Sequence, residues 1–361
     1  MKSSFPILSE DKQAFVGDDI MQIDTLVIHA DLFTMTGVGV GYVDDGAIAI
    51  DRNKIVAVGS THELLNDYTA EETIDATNMM VLPGFIDAHM HTSLAIFRGL
   101  AQDTQSWMHK GIGPFSPFLN RESEVAGSQM NILEALAAGT TTFCDQSTPI
   151  LEIAPFYEKL GARARLTCKL HEVASSKHKL KDDDLYPFDP AVGEQSLNEN
   201  LELIERWHGK DDNRITATFG PQAPDCLSKE LMLRVRNIAK EKNMKIHMHV
   251  AQSIRETKQM LGRYGKRSVP FLDEMGYLDE SLVAIHLSNA TPEEAQLVAK
   301  RGASMVLCSG SIGITGGLVP PSVPFLEAGG KVGLGTDQAP GNNCNQIINE
   351  MKLSALLNKT K

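Results

Sequence analysis

Five histidines and one aspartate end short apolar segments of this sequence, and they have its clearest capacity for chemistry: His89, His91, His247, His249, His286 and Asp337. Side chains two residues apart on a strand point to the same face, so each His-x-His pair presents two imidazoles together. Imidazoles and a carboxylate suit Zn²⁺ or Fe²⁺ at a catalytic site that keeps one position open for water. The residue types therefore predict a metal centre.

A His-x-His pair by itself is a weak signal, because histidines at this spacing also occur packed in cores or exposed on surfaces. Their position in the sequence changes that interpretation. The two pairs, the remaining histidine and the aspartate end four different predicted strands. If these strands belong to one sheet, the six side chains collect at the same edge and form one site.

Residues 83–361 are expected to form a (β/α)8 TIM barrel, which is an α/β fold. Short apolar segments alternate with helical patterns such as ESEVAGSQMNILEALAAG, and these patterns begin near serine or proline. Alternation predicts a parallel sheet, and eight units predict a closed barrel with its active site at the carboxyl ends of the strands. The eight segments are MVLPGFIDAHMH, TTTFCDQS, ARLTCKLHE, ITATFGPQAP, MKIHMHVAQS, LVAIHLSNA, ASMVLCSGS and KVGLGTDQAP.

Residues 1–82 are expected to hold a polar lead-in and a small β unit. DTLVIHADLFTM and GYVDDGAIAIDRNKIVAVGS indicate short strands joined by turns. Such a unit cannot bury both of its faces alone, so we expect it to pack against another β element. Only the amphipathic segment NQIINEMKLSALLNKTK follows the eighth strand. Either the β unit is therefore small and self-sufficient, or the sequence is shortened at its C-terminus.

Composition restricts the remaining function classes. The 361 residues carry a formal net charge of −12 without a basic stripe, which argues against nucleic acid as a partner. The sequence has neither an apolar run of about 18 residues nor an apolar signal core, so neither a membrane partner nor export is expected. Five scattered cysteines without a CxxC pair indicate reduced thiols and a cytoplasmic protein.

Four motifs in order, PGFIDAHMH, HMHVAQS, AIHLSNA and GLGTDQAPGNN, resemble the amidohydrolase superfamily. The sequence is most similar to the branch with methylthioadenosine/S-adenosylhomocysteine deaminases, cytosine deaminase and triazine hydrolases. The resemblance implies that IAIDRNKIVAVG belongs to the N-terminal half of a β-sandwich, whose C-terminal strands would be missing here. The resemblance implies one divalent ion, Zn²⁺ or alternatively Fe²⁺, on His89, His91, His249 and Asp337. It also implies that His286 polarises the attacking water or the substrate, and that Asp337 accepts the water's proton. The implied partner is a small heterocyclic substrate, and relatives form homodimers or homotetramers.

The sequence departs from the deaminases of this branch at three places. They carry a glutamate that moves a proton onto the substrate ring where this chain has Gln252, whose amide can hydrogen-bond but cannot transfer protons in that way. Gln222 in GPQAPDC replaces a histidine, and CSGSIGITGG lacks a lysine. Gln252 joins His286 and Asp337 as a candidate catalytic residue. The candidate substrate contacts are Trp107, Gln146, Glu172, Gln222 and Ser309.

Several alternatives remain open at this point. ITATFGPQAP ends without the lysine that bridges two ions in dinuclear relatives, which favours one ion. His247 is as consistent with a packed core histidine as with a functional one. The leading hypothesis is hydrolysis of a C–N bond of a nitrogen heterocycle, and displacement of another leaving group, such as halide, is an alternative. Two further alternatives are a metal-binding barrel with little catalysis and a sugar-phosphate enzyme that uses the glycine-rich CSGSIGITGG.

Overall fold

The computed structural model describes residues 20–100, 111–174, 184–314 and 316–359, without the side chains of residues 116 and 342. The predicted pocket residue Trp107 lies outside these ranges. The chain divides into two compact units, one up to Pro83 and one from Gly84. The division falls within the PGF that opens the first predicted barrel strand.

The first unit is built on a five-stranded sheet with the order β3-β2-β1-β4, in which β5 also pairs with β1. The elements are β1 (Met21–Phe33), β2 (Tyr42–Asp51), β3 (Lys54–Ser60), α1 (Thr61–Asp67), β4 (Tyr68–Asp75) and β5 (Met80–Val81). Its buried centre contains Ile23, Leu26, Ala47, Ala49 and Leu64. The sheet corresponds to the β unit expected from the sequence. Helix α1 was not predicted from the sequence, because its seven residues are too few to show a clear helical periodicity.

The second unit has eight strands among its described residues, one in each predicted segment. They are β6 (Phe85–Met90), β7 (Thr140–Gln146), β8 (Arg163–Thr167), β9 (Ile215–Thr218), β10 (Ile246–Val250), β11 (Leu282–His286), β12 (Ser304–Leu307) and β13 (Val332–Leu334). They form two parallel sheets with the orders β6-β7-β8-β9 and β10-β11-β12-β13. Isolated parallel bridges join Met90 to Asp337 and Phe219 to Ile246, near the outer strands of the two sheets. The prediction of an α/β fold with parallel strands is confirmed.

Helices alternate with these strands, and several begin where the sequence predicts. The helices are α2 (Arg121–Ala137), α3 (Ile150–Leu160), α4 (Pro190–Trp207), α5 (Lys210–Asn213), α6 (Lys229–Glu241), α7 (Ile254–Tyr264), α8 (Ser268–Glu274), α9 (Pro292–Lys300), α10 (Ser322–Glu327), α11 (Ala339–Asn342) and α12 (Ile347–Asn358). The side chains of Ser228, Ser253 and Thr291 cap α6, α7 and α9. In the described part of the chain, no helix combines the length and the apolar character needed to cross a membrane.

The largest hydrophobic core determines which way the histidines of β10 point. Ile246, Met248 and Val250 are completely buried in a cluster that also contains apolar side chains of α6, α7, α8 and α9. Alternate residues of a strand point to opposite faces, so His247 and His249 lie on the face away from these helices. Helix packing on one face of β10 therefore directs both imidazoles to the other face.

Candidate metal centre

Three histidines have one ring nitrogen held by a neighbour, which leaves the other nitrogen to face the site. Nδ1 of His91 lies 2.5 Å from the backbone oxygen of Gln146, and Nδ1 of His249 lies 2.7 Å from the backbone oxygen of Gln222. A carbonyl oxygen can only accept, so each Nδ1 carries the proton and each Nε2 keeps its lone pair. Nδ1 of His89 lies 2.7 Å from Nε2 of the fourth histidine, His247.

The free nitrogens converge with the carboxylate of Asp337. Nε2 of His91 is 3.3 Å from Nε2 of His249, and Oδ1 of Asp337 is 3.7 Å and 3.6 Å from Nε2 of His89 and His91. Zinc bonds of about 2.0–2.1 Å in a tetrahedron place donor atoms roughly 3.3–3.5 Å apart. Nε2 of His89 is buried and has no hydrogen-bond partner among the described residues. These donors therefore fit one divalent ion.

Burial keeps the imidazoles of the cluster neutral. It lowers the pKa of His91 to about 4 and the pKa values of His247 and His286 to about 3. Burial and the neighbouring histidines also hold the pKa values of His89 and His249 well below the ordinary value. A neutral imidazole has the lone pair that a metal ligand needs, so the cluster is ready to bind a cation at neutral pH.

The carboxyl group of Asp337 is shifted in the opposite direction. Burial raises its pKa to about 7, although a hydrogen bond from Ser311 acts in the opposite direction and lowers it. The side-chain amide of Gln338 lies 2.6 and 2.9 Å from the two carboxylate oxygens, and its nitrogen is assigned to face them because only that orientation gives a donor. A buried carboxylate is costly without a cation, and a divalent ion between it and the histidines would remove that cost.

The backbone holds Asp337 in an uncommon conformation. Its φ is +60°, in the left-handed region, and its N–H donates to the backbone oxygen of His89 at 2.9 Å. Thr336, the preceding residue, donates from its hydroxyl to Asp87 Oδ2 at 2.6 Å, and Asn345 donates to that hydroxyl at 2.6 Å. Fixed left-handed residues cluster at functional sites, where the surrounding structure holds the strain.

Gln252 and His286 form the side of the site next to the ligands. The amide nitrogen of Gln252 lies 3.0 Å from Nε2 of His286, and that Nε2 lies 3.9 Å from Oδ2 of Asp337. Glu256 fixes the backbone here, because its carboxylate accepts the N–H groups of Ala251 and Gln252 at 2.7 Å each. The structure thus brings all three predicted catalytic residues together.

Two of the predicted substrate contacts lie beside the histidines. The backbone oxygens of Gln146 and Gln222 orient His91 and His249. The side-chain oxygen atoms of both glutamines are buried and have no partner among the described residues. These two oxygens are therefore available to hydrogen-bond donors of a ligand, whereas the side-chain nitrogen of Gln146 donates to the backbone oxygen of Gly220 at 3.4 Å. The main-chain role of the two glutamines was not foreseen from the sequence.

Two other predicted contacts are held by the chain itself. Glu172 accepts the backbone N–H of Ser228, at the start of α6, at 2.8 Å. The hydroxyl of Ser309 lies 2.7 Å from that of Ser354 on α12. It is Ser311, two residues further on, that bonds to Asp337. Ser309–Ser311 is a 3-10 turn after β12, so strand alternation does not apply there.

The glycine-rich CSGSIGITGG also has its described contacts within the chain. The backbone N–H of Gly310 donates to both carboxylate oxygens of Glu350, at 3.1 and 3.0 Å. Glu350 is completely buried on α12. A phosphate would need this N–H group, which a carboxylate already occupies, so the contact argues against the sugar-phosphate alternative.

Parallel strands in an α/β fold, with histidines and an aspartate at their carboxyl ends, define a class of metal-dependent hydrolases. The sequence matches the amidohydrolase family over residues 80–361. It is 31% identical to 5-methylthioadenosine/S-adenosylhomocysteine deaminase of Desulforudis audaxviator, over 87% of this chain and 70% of that protein. It is also 31% identical to 5'-deoxyadenosine deaminase of Methanosarcina barkeri, over 93% of this chain and 74% of that protein.

Solved structures agree on the fold. A zinc-bound adenosine deaminase from Xanthomonas campestris superposes with a TM-score of 0.84, at 24% identity, over 95% of this chain and 75% of that one. A triazine hydrolase variant superposes with a TM-score of 0.80, at 22% identity, over 92% and 75%. The chain belongs to the amidohydrolase family. It is an enzyme that hydrolyses C–N bonds other than peptide bonds, as the sequence predicted.

Proposed function

We propose that the chain is a mononuclear aminohydrolase of nitrogen heterocycles, with Zn²⁺, or alternatively Fe²⁺, held by His89, His91, His249 and Asp337. The observation that carries this proposal is the convergence of three imidazole nitrogens and one carboxylate oxygen, with donor separations of 3.3 to 3.7 Å where they are measured. The orphaned Nε2 of His89 supports it independently, because a buried nitrogen without a partner is costly unless something binds there.

The side chains around this set can manage the protons of a hydrolysis. When bound, the ion supplies Lewis-acid chemistry and lowers the pKa of water towards about 7. Asp337 accepts one proton from the attacking water and returns it to the departing amine, so that ammonia or an amine leaves as the C–O bond replaces the C–N bond. His286, 3.9 Å from Asp337, orients the water or the substrate atom under attack.

The substrate class follows from the relatives and from the glutamines. Curated relatives are named for 5-methylthioadenosine, S-adenosylhomocysteine and 5'-deoxyadenosine, which all carry an aminopurine. The unpartnered side-chain oxygens of Gln146 and Gln222 would accept N–H groups of such a heterocycle. Trp107 is proposed as a pocket-wall residue from its sequence resemblance alone. Glu172 and Ser309 would act indirectly, by holding α6 and α12.

A second candidate reaction is displacement of a leaving group that needs no proton, such as halide. The observation that favours it is the hydrogen bond between Gln252 and His286, because an amide at this position cannot protonate a ring nitrogen. The same metal site and the same attacking water would serve both reactions.

The architecture of the whole chain forms part of the proposal. We infer that the two four-stranded sheets are one closed barrel, because bridges link Met90 to Asp337 and Phe219 to Ile246. The sheet within residues 1–82 would be half of a β-sandwich, and residues 83–361 would be the catalytic domain. The sequence resemblance further suggests a homodimer or homotetramer, which a sedimentation measurement would test.

The direct test is turnover with and without the ion. Purified protein is assayed against adenine nucleosides, cytosine and aminotriazines by ammonia release, before and after dialysis against a chelator. Loss of turnover after chelation, with recovery when Zn²⁺ or Fe²⁺ is added, is the expected result. His91→Gln should abolish turnover, whereas the matched His208→Gln, at the end of α4, should not. Unchanged turnover in the ion-free protein would contradict the proposal.

A further inference from the structure

The three histidine ligands proposed above are not held in the same way. His91 and His249 each bond through Nδ1 to a backbone carbonyl, that of Gln146 at the end of β7 and that of Gln222 after β9. His89 instead bonds through Nδ1 to a side chain, Nε2 of His247, at 2.7 Å. The two rings stack with their centroids 5.0 Å apart and their planes at 28°.

We propose that His247 is a positioning residue that fixes the ring orientation and the tautomer of His89; this inference rests on the proposed metal site. For Nε2 of His89 to bind an ion, its Nδ1 must carry the proton and donate it to an acceptor. Nε2 of His247 is that acceptor, so the proton of His247 must lie on Nδ1. The alternative tautomer of His89 would place a proton on Nε2 and block the ion.

The backbone of β10 gives His247 a fixed position for this task. His247 donates its N–H to the backbone oxygen of Phe219 on one side, and its strand pairs with β11 on the other. Its neighbours Ile246 and Met248 are completely buried against the helices. The ring therefore has little freedom to follow His89, and it sets the position of His89 instead.

Because both rings are buried, the contact with His247 is what fixes the orientation of the His89 ring. The exposed fractions of His89 and His247 are 0% and 1%. Solvent cannot readily supply a replacement acceptor in such a place, so losing the imidazole leaves Nδ1 of His89 unpaired. Loss of an outer partner of a metal-bound histidine typically weakens metal affinity by about 10–100-fold.

A matched pair of variants separates this role from simple packing. Gln and Met have similar shapes, but only Gln offers an oxygen that can accept the Nδ1 proton of His89. We expect His247→Met to weaken Zn²⁺ binding by about 10–100-fold and His247→Gln to recover a large part of that loss. The same changes at His208, which bonds to the backbone of Ala217, are the control and should leave affinity within about twofold.

Affinity is measured by competition with a chromophoric chelator, and ligand geometry by the visible absorption of the Co²⁺-loaded protein. The expected spectrum of His247→Met is altered, and that of His247→Gln is close to the parent. Equal affinities of parent and His247→Met would overturn the inference, as would equal weakening by Met and Gln. A parent that binds no ion would instead count against the proposed function, so the two failures are distinguishable.

Discussion

The side-chain nitrogen of Gln252 lies 3.0 Å from Nε2 of His286, close to the carboxylate of Asp337. An amide N–H can only donate here, so the imidazole accepts through Nε2 and carries its own proton on Nδ1. The pair therefore offers hydrogen bonds to a substrate but no exchangeable acid at the position of Gln252. Under the proposed function, this arrangement would determine which leaving groups the site can expel.

Gln252→Glu is expected to favour amine leaving groups. A carboxyl group at this position can protonate a ring nitrogen, so kcat/KM for an aminoheterocycle should rise by about tenfold or more relative to the matched chloroheterocycle, which needs no proton. Ammonia and chloride release from paired amino- and chlorotriazines would measure this. Gln22→Glu, an exposed change on β1, is the control.

An unchanged ratio of the two reactions in Gln252→Glu would contradict this explanation. A parent without activity on any heterocycle, combined with activity in the variant, would support the alternative of a metal-binding barrel with little catalysis.

Glu256 is expected to matter for both stability and turnover, because it holds the backbone that presents Gln252. Replacing it with alanine leaves the N–H groups of Ala251 and Gln252 without their acceptor, which should lower the free energy of unfolding by about 1–3 kcal/mol. Glu256→Gln keeps one acceptor oxygen and should lose less, and Ser268→Ala, which removes only a donor to Glu256, should lose least. Urea unfolding and kcat measure the series, and equal effects of all three changes would refute the ranking.

Asp337→Asn is expected to stabilise the ion-free protein at neutral pH and to destroy ion binding. Burial raises the pKa of Asp337 from 3.8 to about 7, so ionising it in the folded state costs free energy that the unfolded chain does not pay. This free-energy cost is absent at pH values below the pKa of Asp337 in the unfolded chain. It grows as the pH rises and reaches its full size above about pH 7. The stability gain of the variant should therefore rise from near zero at pH 4 to about 2–4 kcal/mol at pH 8.

Unfolding at pH 5 and pH 8, without and with Zn²⁺, tests the sign of this effect. Added ion should stabilise the parent and leave Asp337→Asn unchanged. Asp67→Asn, an exposed change at the end of α1, is the control. A variant that is less stable than the ion-free parent at pH 8 would show that the carboxylate is not under strain.

Gly335→Ala is expected to disturb His89 directly. A Cβ at position 335 would lie 2.8–2.9 Å from the backbone and Cβ of His89, which is closer than real contacts allow. The strand must then shift, at a cost of about 1–3 kcal/mol in stability and with weaker ion binding. Gly313→Ala, whose Cβ would meet nothing within 4 Å, is the matched control. Equal ion affinity of the two variants would contradict the expected displacement.

Much of this candidate site could be predicted from the sequence, because side chains two residues apart on a strand keep the same direction in the folded chain. Period-two spacing places both members of each His-x-His pair, at the end of β6 and on β10, on one face of their strand. The eight apolar segments contain the eight strands found among the described residues of the second unit. Ser311 was not foreseen, because it lies in a 3-10 turn after β12, where strand alternation does not apply. Local periodicity predicts direction only as long as the element lasts.

The contact between His89 and His247 could not be predicted in the same way. The two residues are 158 positions apart, and the contact depends on the distance between β6 and β10, which no local pattern specifies. Glu172 shows the same limit, because its bond to Ser228 depends on where α6 begins in space. The sequence showed which groups could do chemistry, and tertiary packing decided which of them meet.

Binding of one ion by His89, His91, His249 and Asp337 is best tested by elemental analysis of the purified chain. We expect about one zinc or iron atom per chain in the parent, and a large loss from His249→Gln and Asp337→Asn but not from His208→Gln. A parent with no bound zinc or iron under metal-replete conditions would show that this site does not hold an ion, as would ligand variants that retain a full ion.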